Sequence, residues 1–394
     1  MQRTKKSLFG AVVLVCVLLV GCSLSDVWPF ATFESTKYIE QFQDNWCYRF
    51  LDEDMQANYG DLYTAVTDTM DQDMTVTVEG DTPMTGYGVE VRLSHPPKSD
   101  ADMRRLFMAF TNDNPAFFFV KHHFGMHGLQ VGEHTRYEKM TLLYTMDAAA
   151  RKDAREQMAA KTAAVLQEAS AIADAFEREL FLHDWLVDHC TYDEQETATP
   201  EAPYSAFGAL VEGKAVCEGY SRAMQWLLRN SGLKCTLVLG TGKDDEAHMW
   251  NLVEVDGNWY HLDATWNDSD DLPIHNYFNV TTEEIGISHT IGTENFGVDI
   301  CSAEEANFYR RRHLYIDTYS RREIAAVIAT QVQAGEQTVE LRFAEGKYDN
   351  AILFIQSGNY FFETVNGLME TGKMWDFHLY AVPDEGILLL SKIS

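Results

Sequence analysis

An α+β fold is what this sequence predicts, on three observations. A helix-period segment follows Cys217, with Ala223, Met224, Leu227 and Leu228 on one face, and ends at Asn230-Ser231-Gly232. Two strand-like runs come next, Trp250 to Val255 and Asn258 to Leu262, joined by Asp256-Gly257, a strong hairpin signal. Helices and strands are mixed in the same way on both flanks, so neither an all-helical nor an all-strand architecture fits.

From the first residue, Met1 to Gly21 has a basic start (Arg3, Lys5, Lys6) and an apolar run from Leu8 to Val20. It reads as a secretory signal, too short to span a bilayer comfortably. The close, Leu19-Val20-Gly21-Cys22, resembles the bacterial lipoprotein signal, in which the cysteine after a small residue is lipidated and becomes the new N-terminus. That resemblance implies removal of residues 1–21, a lipid on Cys22, and residues 22–37 as a tether to an extracytoplasmic membrane surface of the bacterial cell envelope.

The chain carries 60 acidic against 31 basic side chains, a formal charge of −29, and losing the signal deepens it by three. So acidic a chain is a poor partner for nucleic acid and is repelled by anionic surfaces unless held there covalently. The lipid supplies that hold.

Residues 38–145 read as an N-terminal α+β region. Helices are predicted over Tyr38–Asp52 and Leu62–Met70, then strands over Met74–Val78 and Val89–Leu93 around a Gly/Pro-rich turn. Asp100–Thr111 is a helix after the Pro96-Pro97 break, Asn114–Val120 opens a buried aromatic strand, and Met140–Thr145 forms another. His122, His123 and His127 read as half-exposed strand and turn histidines rather than metal ligands.

Residues 146–287 form the predicted core. Asp147 opens an Ala-rich helix reaching Ala173, with the charge run Arg151–Glu156 on its solvated face. Asp174-Ala-Phe-Glu177 fits a capping box for the helix Phe176–Cys190, whose Leu180, Leu182, Trp185, Leu186 and His189 face the core. Asp193–Pro203 is a polar loop bordering a cleft. Gly213-Lys214 is a turn, so Cys217 falls at a helix N-terminus, where free N–H groups and the dipole favour thiolate over thiol. Gly219 lets backbone or substrate approach closely.

With Asp256-Gly257 as the turn, Val255 faces Asn258 and His248 faces Thr265. Asp263 then lies diagonally from His248 on the same face, close enough for a carboxylate to hold an imidazole. A thiol, an imidazole and a carboxylate are the components of a cysteine nucleophile, its base and the group that orients the base.

Cys217-Glu-Gly-Tyr220, His248-Met-Trp250-Asn251 and Asp263-Ala-Thr265-Trp266 resemble, in order, the three core motifs of the transglutaminase-like superfamily. Leu182-His183-Asp184-Trp185, Tyr192-Asp193 and Tyr204-Ser-Ala-Phe207-Gly208 are similar to that family's lead-in, and the likeness covers roughly residues 100 to 285. It implies a papain-like α+β core with Cys217 as nucleophile, His248 as base and Asp263 as orienter. Met249 departs from the small alanine usual between the His and Trp. For the oxyanion or pocket, Tyr204, Gly219, Tyr220 and Trp250 are candidates, and the backbone N–H of Cys217 is the better oxyanion donor.

Past the triad, Asn267–Asp271 reads as a solvated turn, because its acids lack the spacing of a calcium loop. His275–Val280 is a further strand. Residues 302–394 form a small C-terminal α+β domain. Ser320-Arg-Arg-Glu323 caps an amphipathic helix, and strands follow at Thr338–Phe343, Ala351–Gln356, Phe377–Val382 and Ile387–Leu390. Of 7 cysteines, Cys16 goes with the signal and Cys22 is lipidated. Cys47, Cys190, Cys217, Cys235 and Cys301 remain, an odd number that leaves a free thiol, expected to be Cys217.

The sequence thus points to a surface-anchored thiol enzyme, without cofactor or metal, that acts on a peptide or protein substrate through an acyl-thioester. Water as acceptor makes it a peptidase or amidase of peptide or cell-wall amides; an amine makes it a transglutaminase. A non-catalytic binding module, or an envelope scaffold, is the alternative class.

Overall fold

The computed structural model describes residue 42 and residues 44–80, 83–131, 134–194, 202–268, 274–298 and 300–393. The predicted signal and tether, Cys22, and most of the acidic run after Asn267 lie outside these.

The N-terminal part runs α1 (Glu53–Thr69), β1 (Thr75–Val78), β2 (Met84–Arg92), α2 (Asp100–Asp113), β3 (Val120–Val131) and β4 (His134–Tyr144). Its antiparallel sheet has the order β1-β2-β4-β3, and the two helices close an aromatic core of Tyr59, Tyr63, Phe110, Phe117, Phe119 and Tyr144. Asp52 and Ser99 cap the helices by accepting Met55 N–H and Asp102 N–H.

Two expectations fail here. Over 44–52 the chain forms turns and a short 3-10 segment, Tyr48–Phe50, in place of the helix. The buried carboxylate of Asp113 takes the N–H groups of Cys47 and Tyr48 at 3.0 and 2.9 Å. Those donors are then lost to a helical ladder. The aromatic run is not strand either: Pro115 starts a 3-10 turn through Phe117, and β3 begins only at Val120. Phe117 and Phe119 are still core residues.

The central part comprises α3 (Ala148–Ala171), α4 (Ala175–His189), β5 (Thr191–Tyr192), β6 (Lys214–Ala215), α5 (Cys217–Asn230), β7 (Lys234–Thr241), β8 (Ala247–Val255), β9 (Asn258–Leu262), α6 (Ala264–Asn267), α7 (Thr282–Ile285) and β10 (Thr290–Ile291). An antiparallel sheet of order β10-β7-β8-β9 carries α5 on one face. Asp147 caps α3, and Asp174 caps α4 by accepting Glu177 N–H, the Asp174 half of the predicted box, although His189 is exposed rather than packed inward.

The charge run on α3 is not simply solvated. Arg151 is fully buried and donates to the carbonyls of Met70, Met146 and Gln72 at 2.7, 2.6 and 2.7 Å. Its guanidinium lies 4.6 Å from the Tyr144 ring centroid, so it plugs the joint between α1 and α3. Residues 275–280 do not form the predicted strand. Val280 makes a single bridge to His261, and Tyr277 O accepts Asp263 N–H at 3.0 Å. The segment is a brace along β9, spent on a few specific contacts rather than a ladder.

The C-terminal part comprises α8 (Phe308–Arg311), β11 (Tyr315–Ile316), α9 (Arg321–Ala334), β12 (Thr338–Phe343), α10 (Tyr348–Ile355), α11 (Asn359–Asn366), β13 (Phe377–Val382) and β14 (Ile387–Lys392). The sheet order is β11-β12-β14-β13. Ser320 caps α9 as predicted. Ala351–Gln356 falls in helix α10 and is no strand, since a six-residue apolar run has no period to separate the two. One apolar cluster runs from α4 and α5 through Leu262, Phe278 and Tyr309 into this sheet at Leu341 and Leu388.

Helix α5 is also fixed to the N-terminal part. Arg222 Nη1, Gln225 Nε2 and Arg229 Nη1 donate to the carbonyls of Thr111, Asn112 and Asp113 at 2.9, 2.8 and 2.6 Å. Among the described residues no helix is long and apolar enough to cross a membrane.

Candidate active site

Cys217 is the first residue of α5, after Val216 in extended conformation and a turn at Gly213 with φ +73°. N–H groups of the first turn have no intrahelical acceptor, so they and the dipole face whatever sits at the thiol. Cys217 is partly exposed, whereas Cys47, Cys190, Cys235 and Cys301 are buried. Gly219 serves backbone packing: a Cβ there would meet Pro203 O at 2.3 Å and Ser205 O at 3.1 Å. It lets the helix start press against the 202–205 turn.

The hairpin pairs Val255 with Asn258 as predicted, but its ladder ends at Asn251 and Leu262. The chain then leaves the sheet, so His248 does not face Thr265 in the ladder. Asp263 instead caps α6, its Oδ1 accepting Thr265 N–H and Trp266 N–H at 3.0 and 3.2 Å. Capping wins because it satisfies donors that a helix start leaves open. The turn still delivers the expected contact: His248 Nε2 lies 2.7 Å from Asp263 Oδ2.

Electrostatics follow from this geometry. Burial would raise the Asp263 carboxyl, but His248 first, and then His289, hold it well below the carboxylate range. Burial would lower His248, yet the Asp263 carboxylate and then Cys217 carry it up to about 10. With Nε2 committed to Asp263, Nδ1 is the ring nitrogen available to the thiol. The arrangement favours a protonated imidazole beside the Cys217 side chain.

The pocket candidates separate. Tyr220 and Trp250 are fully buried and line no open surface, contrary to expectation. Tyr220 lies on the inner face of α5 and donates to the Asp268 carboxylate. Trp250 is covered by β7 and β10, and its Nε1–H donates to His261 Nδ1 at 2.9 Å. Tyr204 is half-buried in a recess with Lys121, His122 and Arg222. The open cleft beside His248 is lined by Tyr192, Lys243, Glu246 and Trp266. Burial first, and then the charge of Cys217, raise the Tyr192 phenol.

Sequence reasoning missed His289. Its Nε2 lies 3.0 Å from the same Asp263 Oδ2, and the side chain is fully buried. It stands between α7 and β10 in a stretch without periodicity, and the only signal was a histidine next to a Ser.

Among the described residues two sets of donors converge closely enough to hold a metal, His248/Asp263/His289 and His183/Asp184/His275. Both are engaged with themselves. Asn267 Oδ1 accepts Tyr277 N–H at 2.9 Å, which turns its Nδ2 toward His183 Nε2 at 3.0 Å. His183 therefore carries its proton on Nδ1, toward Asp184 Oδ1 at 2.9 Å, and offers no lone pair to an ion. His275 bridges Asp184 and Glu340 at 3.0 and 2.8 Å. Burial alone would lower it, but those two carboxylates push it up to about 9. His122 and His127 turn to Glu218 and Thr141, so the three strand histidines form no donor set.

Residues 161–264 match the transglutaminase-like superfamily, and this span contains Cys217, His248 and Asp263. The kyphoscoliosis peptidases of Mus musculus and Homo sapiens are each 29% identical to this chain over 116 residues, covering 26% of this chain and 17% of theirs. The chain thus spans less than a fifth of the length of these curated relatives. Among solved structures, a TGase is similar at 15% identity and a TM-score of 0.26, over 46% of this chain and 52% of that one. A protein from Cytophaga hutchinsonii assigned as a cysteine protease is similar at 14% identity and a TM-score of 0.24, over 37% of this chain and 63% of its own. The chain therefore contains a transglutaminase-like domain within a mixed α+β fold.

Proposed function

We propose that this chain is a thiol hydrolase of the cell envelope that cleaves amide bonds in peptides or cell-wall peptide through an acyl-thioester on Cys217. The observation that carries the reading is the 2.7 Å contact of His248 with a fully buried Asp263, beside a partly exposed thiol at a helix start. The thiolate attacks the carbonyl carbon while first-turn N–H groups face the developing oxyanion. His248 gives its proton to the leaving amine as the C–N bond breaks, leaving a thioester. It then takes a proton from water, which attacks the thioester and releases the acid and Cys217. The peptidase name of the relatives supports this direction, and it is a reading of them, since they share only a segment with this chain.

The signal-like start and the Leu19-Val20-Gly21-Cys22 close support lipid attachment at Cys22 and an extracytoplasmic membrane surface. The test pairs the wild type with Cys217→Ala on a library of peptide amides, with and without an added primary amine. Free acid formed only by the wild type supports hydrolysis. Amide product with the added amine shows transfer instead. No covalent acyl-enzyme and no product of either kind would leave a binding module.

A further inference from the structure

We infer that His289 is a positioning residue of this site, a second imidazole donor that fixes the Asp263 carboxylate and limits how strongly it binds the proton of His248. The inference rests on the thiol-enzyme reading and adds to it a fourth member outside the family segment, 26 residues after Asp263.

The geometry is specific. Asp263 receives four donors: Thr265 N–H and Trp266 N–H on Oδ1, His248 and His289 Nε2 on Oδ2. A carboxylate has about four lone-pair sites, so this one is saturated and cannot swing. Both histidines draw on the same oxygen, at 2.7 and 3.0 Å. Electron density donated to one is withheld from the other, so His289 tempers the pull of Asp263 on His248.

His289 is itself held rigidly. Its ring lies 4.3 Å from Trp266 and 5.0 Å from Trp250 by centroid, and Ser288 Oγ lies 2.8 Å from Nδ1. Ser288 also meets the Tyr277 hydroxyl, which donates to Glu385 Oε1 at 3.2 Å. The C-terminal part thereby reaches the far side of the ring. The titratable groups around His289 are Asp263 and His248, His261 beneath Trp250, and Tyr277 with Glu385 behind it. Of these only Asp263 accepts from its Nε2.

The test compares His289→Leu, which removes the donor, with His289→Gln, which keeps an N–H near the Nε2 position. In full-length protein carrying Cys217→Ala, the His248 titration is followed by NMR of 15N-labelled histidine. His289→Leu should raise the midpoint by about one pH unit, a tenfold tighter hold on the proton, and His289→Gln should stay near the parent. An unchanged midpoint in a folded His289→Leu protein overturns the inference. If that variant does not fold, His289→Ala with added imidazole replaces it, and imidazole must then return the midpoint to the parent value. The underlying reading is checked apart, by alkylation of Cys217 in the wild type and in His248→Ala. Equal labelling there defeats the thiol-enzyme reading; activated labelling with no shift from His289→Leu defeats only the positioning role.

Discussion

Glu179→Gln should stabilise the protein by an amount that grows with pH. Glu179 is fully buried on α4, its Oε2 accepts Asn279 Nδ2 at 2.7 Å, and its Oε1 has no partner among the described residues. Burial pushes its carboxyl from 4.5 up to about 8, with Asn279 pulling slightly the other way. The folded chain thus keeps a proton that the unfolded chain has released. The group's contribution is fully present below about 4.5 and is lost as pH rises through about 8. Glutamine does not titrate, so the stability gap between variant and wild type should widen at about 1.4 kcal/mol per pH unit across that window. Between pH 5 and 7.5 this gives about 3 kcal/mol. The assay is urea unfolding of both proteins in parallel over that range, with equal m-values required. A gap that stays flat with pH would mean that Glu179 is ionised in the fold and the burial argument is wrong.

Three further outcomes are expected. Asp263→Asn should lower any amide-cleaving rate by about three to four orders of magnitude, the scale of a misoriented imidazole, and the His248 midpoint should fall from about 10; near-normal kinetics would remove Asp263 from the chemistry. Arg151→Ala should cost about 3 kcal/mol or more in thermal or urea unfolding, because the carbonyls of Met70, Met146 and Gln72 lose their buried donor; a loss under 1 kcal/mol would show that water replaces it. Cys22→Ala should move the protein from the membrane to the soluble fraction on sedimentation of cell lysates, and retention on the membrane would argue against a lipid at that residue.

Much of the site was legible because its signals are local. The helix after Cys217 has a period and a stop, and Asp256-Gly257 sets the hairpin register. Extending that register to residue 265 was the error, since a ladder rule carries no information about where capping takes over. The predicted contact survived because residue 263 follows directly on the last paired position. His289 was invisible for the opposite reason: its partner is distant in sequence and its own neighbourhood repeats nothing. The same holds for Arg151, which looks like one more charge on a helix until three carbonyls from other segments surround it. Runs such as Asn114–Val120 and Ala351–Gln356 are apolar without period, and in both cases the tertiary setting chose the conformation.

The seam between α5 and the N-terminal part has an evolutionary consequence. All three donors come from one face of the cysteine helix, and the acceptors named with them are main-chain carbonyls at 111, 112 and 113. A carbonyl is supplied by any amino acid, so drift at 111 leaves its acceptor intact, whereas Asn112 and Asn45 also accept through their side chains, from Arg222 Nη2 at 3.5 Å and Arg229 Nη2 at 2.6 Å. A single change at Arg222, Gln225 or Arg229 removes a donor outright. Sequence divergence across this boundary should therefore be uneven, freest at 111 and most restrained at Asn45, Asn112 and the donors of the helix that also bears the thiol.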